Sequence, residues 1–221
     1  YTKPAGVLLT ANLTKEALTR NEELAVRLSP AQVEGIAGYL RWAMWQTAQH
    51  ELLDGRDFKA ANALANVAHP AASADICATT HEHQGIAEQL LQAVQRATSH
   101  IIVSSFGWDQ QHPVVQALCR RAREGLKVTV LARIRPVAMP ALLTLAESGA
   151  HVYGFKWLHA KALWTDVGDA MVMSANLEAH GLDGGFELGA LLTMQQAEEL
   201  KVRLEHWQDT AAWRLIPRPV L

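Results

Sequence analysis

Residues 155 to 166 read "FKWLHAKALWTD", an apolar run that carries a histidine and a lysine two positions apart and closes on an aspartate. In an extended strand, residues i and i+2 point the same way. His159, Lys161 and Leu163 therefore share one face, and Leu158, Ala160, Ala162 and Trp164 the other. The second face is uniformly apolar and packs, while the first presents two polar groups inside an apolar run. After the turn-forming "DVGD", the run "AMVMSAN" (170–176) places Val172, Ser174 and Asn176 on one face. Paired as neighbours, the two strands bring His159, Lys161, Ser174 and Asn176 into one small volume.

Part of this pattern occurs twice. "GVLLTANLTKEALTRNEELAVRLSPAQVE" (6–34) aligns without a gap on "AMVMSANLEAHGLDGGFELGALLTMQQAE" (170–198) at an offset of 164. Thr10 meets Ser174, Asn12 meets Asn176 and Glu23 meets Glu187, so each copy holds [ST]-A-N-L and a glutamate eleven residues after its asparagine. Polar residues that coincide inside apolar strands indicate two related halves. At the same offset, the counterparts of His159 and Lys161 fall before Tyr1, so the first copy is expected to lack its beginning.

The rest of the chain fits an alternating α/β protein. Pro30 after Ser29 starts a helix expected to run through 30–53, and Gly, Asp, Asn and Pro make 54–84 a connector with one short Ala-rich helix. Helices are expected at 85–98, 113–125, 137–149 and 194–208. Strands are expected at 6–13, 100–105, 127–132, 151–155, 159–165, 170–176 and 187–193. Alternation of this kind implies a sheet with helices on both faces.

At 221 residues and 49% hydrophobic, the chain can bury a core. With 19% charged residues, a formal net charge of −2 and a pI near 6.6, it has no overall basic field, so any polyanion surface must be local. "RRAREGLK" (120–127) and "ARIRP" (132–136) are the two candidate basic patches, against the simpler reading of Arg120, Arg121 and Arg123 as a solvated helix face. Cys77 and Cys119 stand alone as expected core thiols. "HEH" (81–83), with His69 and Cys77, fits no compact zinc spacing, and Trp42 and Trp45 are expected to pack. No charged-then-apolar leader opens the sequence, and a cytoplasmic location is the expectation.

"HAKALWTDVGDAMVMSAN" resembles the H-x-K-x4-D-x6-G-S-x-N signature of the phospholipase D superfamily, with His159, Lys161, Asp166, Ser174 and Asn176 in register and Met173 in place of the glycine. Glu187 in "FELGALL" falls where that family carries a glutamate. The resemblance implies a phospholipase D-like αβα mixed sheet in two pseudo-symmetric repeats: 1–53 the remnant of the first, 54–84 the connector, 85–221 the second. It also implies a phosphodiesterase that needs neither metal nor cofactor. His159 would be the nucleophile, Glu187 its orienting acceptor, and Lys161, Asn176 and Ser174 the donors to the phosphate. Asp166 would serve the strand exit, and Thr10, Asn12 and Glu23 a second half-site whose own histidine lies elsewhere.

"TANLTKEALTRNEELAV" is similar to the version carried by bacterial nucleases of the superfamily, and the serine that its phospholipases and cardiolipin synthases place four to five residues after the asparagine is absent. Nucleic acid is therefore the expected partner, with phospholipid hydrolysis or phosphatidyl transfer as the alternative and a non-catalytic scaffold as a third. Trp108, in "SSFGWDQ", would stack on a base or anchor its loop. Single-repeat members of the superfamily complete their site as homodimers; here the companion half is expected within the chain.

Overall fold

The computed structural model describes residues 5–53, 57–60, 68–71 and 73–217. In chain order its elements are β1 (Val7–Leu9), α1 (Lys15–Thr19), β2 (Ala25–Arg27), α2 (Pro30–Thr47), β3 (His50–Leu53), β4 (Asp57–Ala60), β5 (Ile76–Thr79) and α3 (Gly85–Arg96). There follow β6 (His100–Ser105), α4 (Pro113–Arg123), β7 (Lys127–Arg133), α5 (Met139–Glu147), β8 (His151–Phe155), β9 (Ala162–Thr165), β10 (Ala170–Met173), β11 (Glu187–Leu191), α6 (Met194–Thr210) and β12 (Trp213–Leu215).

Eight strands form one mixed sheet in the order β12-β8-β7-β6-β9-β10-β11-β5. β6, β7 and β8 run parallel, joined by α4 and α5 as crossover helices, and the remaining neighbours pair antiparallel. The αβα mixed sheet expected from the sequence is therefore present. Its two faces hold separate cores. Ile86, Leu90 and Val94 of α3, with Val114, Leu118 and Cys119 of α4, recur at helical spacing and pack on one face with Leu163 and Met173. Ala197, Leu200, Leu204 and Trp207 of α6 cover the other face, against Leu158, Ala160, Ala162 and Trp164. The alternation read in 158–164 thus sorts side chains to opposite sides of the sheet. Truncating a fully buried residue such as Leu118 to alanine would cost about 2–5 kcal/mol.

Three expectations change. The helix from Pro30 stops at Thr47, and His50–Leu53 pairs instead with Asp57–Ala60. The "DG" between those strands is a hairpin signal. Within the supposed connector, Ile76–Thr79 is a fully buried edge strand on β11, while the connector's Ala-rich patch lies mainly outside the described residues. Cys77 sits there as a core thiol, its pKa pushed up to about 12 by burial, and Cys119 is buried and free as well.

The two capping boxes found among the described residues have a common arrangement. Ser29 with Gln32 opens α2, and Thr193 with Gln196 opens α6. The Gln32 Nε2 donates to the Leu191 carbonyl (2.7 Å) and the Gln196 Nε2 to the Arg27 carbonyl (2.8 Å), while the two amides also bond each other at 3.1 Å. The equivalent members of this exchange, Gln32 and Gln196 as donors and Arg27 and Leu191 as acceptors, each lie 164 residues apart.

Candidate active site

His159 and Lys161 lie just ahead of β9, in a segment fixed from outside the main sheet. The Glu22 N–H donates to the Trp157 carbonyl (3.1 Å), and the His159 and Ala160 N–H groups both donate to the Glu22 carbonyl (3.0 and 3.1 Å). This parallel bridge brings the next residue, Glu23, to the histidine. The His159 Nδ1 lies 2.9 Å from Glu23 Oε1 and 3.1 Å from Oε2. The carboxylate is itself held, by the Thr10 hydroxyl on Oε2 (2.7 Å) and the Asn21 amide on Oε1 (3.1 Å). An ionised carboxylate on Nδ1 places the imidazole proton there and leaves Nε2 with its lone pair.

The carboxylate that meets His159 is Glu23 and not Glu187, the residue expected there from one sequence repeat. The bridge at Glu22 delivers the glutamate of the N-terminal segment, whereas Glu187 accepts from the Ser174 hydroxyl. The two carboxylates stand in matching frames. Leu24 N–H donates to the Thr10 Oγ1 (2.9 Å) and Leu188 N–H to the Ser174 Oγ (3.0 Å). Among the described residues no histidine stands against Glu187.

Lys161 is 3% exposed, and its Nζ donates to the His159 carbonyl (2.8 Å) while lying 3.1 and 3.2 Å from the two ring nitrogens. Burial pulls its pKa down to about 8, against the opposing pull of Glu23, Glu187 and Glu178. Burial and the Lys161 ammonium also hold the His159 imidazole below its ordinary value, despite Glu23. The consequence is a neutral ring beside a buried cation near pH 7. Asn176 donates from Nδ2 to Glu178 (3.2 Å), and its Oδ1 is buried without a donor among the described residues. Glu178 lies over Gly107 and the Asn176 backbone over Gly181; a Cβ at those glycines would come within 2.5 and 2.9 Å of them.

Other expected residues fall elsewhere. Asp166 accepts from the Thr98 and Ser99 amides (both 3.0 Å) and from both hydroxyls, which hold its carboxyl well below the ordinary range; it ties the strand exit to the loop before β6. Asn12 is exposed ahead of α1, with no side-chain hydrogen bond among the described residues. Trp108 is 5% exposed and its indole N–H donates to the Ser105 carbonyl (3.0 Å), so it is a loop anchor without a free face for a base. Met173 is fully buried on the core side of β10 and does not enter the pocket.

The aromatic rings beside His159 are Phe106, edge-on at 5.0 Å between ring centres, and Trp157 two residues before it. Neither ring carried a local signal, since Phe106 follows β6 and Trp157 precedes the histidine in an apolar run. A cavity of about 510 Å³ between residues 21–27 and α6 borders this cluster through Asn21, Glu22 and Glu23. Histidine packing at His69, His81 and His83 is with Trp42, Tyr39 and each other, and no group of three metal-ligating side chains occurs among the described residues.

No protein-family model matches the chain, and no curated protein does. Solved structures do, and among them are proteins whose fold this chain resembles. Nuc from Salmonella typhimurium, described as a phospholipase D family member, matches at a TM-score of 0.55 and 15% identity over 64% of this chain and 97% of its own. NucT from Helicobacter pylori matches at 0.51 and 13%, over 62% and 95%. The phosphatidylserine synthase of Haemophilus influenzae Rd KW20 matches at 0.60 and 10% identity over 97% of this chain, which spans 61% of the synthase. At these identities the likeness is one of fold. No helix among the described residues is long and apolar enough to cross a membrane.

Proposed function

We propose that this protein is a phosphodiesterase that works through a covalent phosphohistidine, with His159 as nucleophile. The observation that carries this reading is a neutral imidazole held through Nδ1 by the Glu23 carboxylate, with a buried ammonium at 3.2 Å from Nε2. Nε2 attacks phosphorus, a P–N bond forms and the P–O bond to the leaving group breaks. Lys161 takes up charge developing on the non-bridging oxygens, supported by the Asn176 amide once it turns from Glu178. A proton donor must meet the leaving oxygen, and water must then release the phosphoryl group from His159.

The matching Thr10–Glu23 and Ser174–Glu187 frames support a pair of half-sites related by the 164-residue offset. In that arrangement Glu187 orients a second histidine, the proton donor, supplied by an H-x-K strand of the companion half or of a second copy. Lys161 itself provides the cation, so hydrolysis is expected to survive a chelator. The test is hydrolysis of bis(p-nitrophenyl) phosphate by the full-length protein with and without EDTA. Activity that persists in EDTA and disappears in His159→Ala supports the proposal; activity abolished by chelation, or equal in the variant, overturns it.

Nucleic acid is the favoured substrate on the "TANLTKEALTRNEELAV" pattern and the position of "ARIRP" next to the site. Phosphatidyl transfer is the second reading. Its support is the likeness to the phosphatidylserine synthase across 97% of this chain.

A further inference from the structure

The inner pocket is poorly charged for an anion. It holds one buried ammonium, Lys161, among the carboxylates of Glu23, Glu187 and Glu178. Beside it the C-terminal ends of the three parallel strands are differently furnished. Phe106 follows β6, Arg133 ends β7 with Arg135 just after it, and Lys156 and Trp157 follow β8. Arg20, at the end of α1, joins them from the N-terminal segment.

The two rings hold the cations. Arg135 lies 4.3 Å and Arg133 5.3 Å from the Phe106 ring centre, and Arg133, Lys156 and Arg20 lie 5.0, 5.3 and 5.4 Å from that of Trp157. An aromatic face fixes a guanidinium without neutralising it or occupying its N–H donors. None of the four cations has a carboxylate within ion-pair distance among the described residues. Glu22 acts on Arg133 only at longer range. The pattern differs from Arg96 and Arg121, which are paired to Asp169 and Glu124. Phe106 also touches His159, so the cations stand one ring away from the nucleophile.

From this we infer that Arg20, Arg133, Arg135 and Lys156 form a track for the phosphates flanking the scissile one, and that the substrate is a polynucleotide. The inference rests on the phosphodiesterase reading for the scissile position only. A polynucleotide offers an anion on each side of the bond that is cut, which four unneutralised cations in a row can use. A phospholipid offers one headgroup and apolar chains, and the rim presents cations where chains would need an apolar surface. The second basic patch does not share this role. Arg120 and Arg123 precede the start of β7, about 20 Å along the strand from Arg133 at ~3.3 Å per residue, and face solvent.

The test is binding, so it is independent of turnover. In full-length protein carrying His159→Ala, fluorescence anisotropy with a labelled single-stranded oligonucleotide is measured across a salt series. Three further pairs are compared in that background: Arg133→Gln with Arg135→Gln, the exposed pair Arg20→Gln with Lys156→Gln, and Arg120→Gln with Arg123→Gln. The first two pairs are expected to weaken binding about tenfold or more and to make the slope of log K against log salt about 1.4 shallower, two phosphates at ~0.7 each. The third pair removes the same charge and is expected to change neither. Equal weakening by all three pairs would reduce the effect to net charge, and no weakening by the first two would remove the track; either overturns the inference. Tighter binding to phosphatidylglycerol vesicles than to the oligonucleotide, lost in the rim variants, would overturn it in favour of a lipid surface. If His159→Ala keeps full diesterase activity, the phosphodiesterase mechanism fails while the binding result stands.

Discussion

His159 is the residue on which the proposed chemistry turns, and its environment makes three quantitative demands. Replacing it with alanine should lower diester hydrolysis by about 10³-fold or more, as removal of a nucleophile does, with circular dichroism unchanged because the ring is only partly buried. Glu23→Gln should lower kcat by about 10²-fold with KM little altered, since the amide no longer fixes the Nδ1 proton or balances an imidazolium-like transition state. Glu23 is the residue sequence reading placed in the other half-site; the separation of 136 residues from His159 hides the contact from any local motif. The pH profile follows from the two depressed pKa values. Activity needs His159 neutral and Lys161 charged. It should fall as pH rises through about 8, where Lys161 loses its proton, and persist on the acid side below the ordinary imidazole range before His159 protonates. A profile flat from pH 6 to 10 would deny Lys161 its role.

Individual elements carry the site by how they meet, and the meeting of α2 with α6 is the clearest case. Gln32 is fully buried, and its exchange with Gln196 satisfies the carbonyls of Leu191 and Arg27 at the ends of β11 and β2. Gln32→Ala should destabilise by about 1–3 kcal/mol, because the part-buried Leu191 carbonyl loses its amide donor. That is a drop of several degrees in Tm for a chain of this size. With Gln196→Ala added, the loss should fall short of additive, since the two amides share one network. Asp166→Ala should lower Tm by a few degrees through the loss of the Thr98 and Ser99 bonds, with kcat retained. The carboxyl pKa is depressed in the folded state, so its stabilising effect is present above the unfolded value and lost as pH falls through the acid range.

Most elements were legible in the sequence because period and caps are local: β6 and β8 fall where alternation put them, and α6 begins at its Thr193 box. The strand at Ile76–Thr79 was not, since three apolar residues and a threonine between polar stretches carry no period, and only pairing with β11 defines them. For Trp108 the sequence left base stacking and loop anchoring open, and the indole N–H bond to the buried Ser105 carbonyl makes it an anchor.

Across the whole molecule, the fold gathers three strand ends, a bridge at Glu22 and two matching carboxylate frames around one histidine. His159 and Lys161, just ahead of β9, and Ser174 and Asn176, just after β10, were open to reading as a set because those two strands are neighbours. The rim of Phe106, Trp157, Arg133 and Arg135 was readable only in part, as "ARIRP", because its members come from the ends of three strands. If Glu187 orients the second histidine, then Glu187→Gln should slow release of the phosphoryl group more than its arrival, and the covalent species should accumulate.

That species is the most direct measure of the account. Full-length protein mixed with a phosphodiester, quenched within a turnover and mapped by mass spectrometry at neutral pH, should carry an acid-labile phosphoryl adduct on the peptide containing His159, absent in His159→Ala. Turnover undiminished in His159→Ala, with no adduct on that peptide in the unaltered protein, would contradict it.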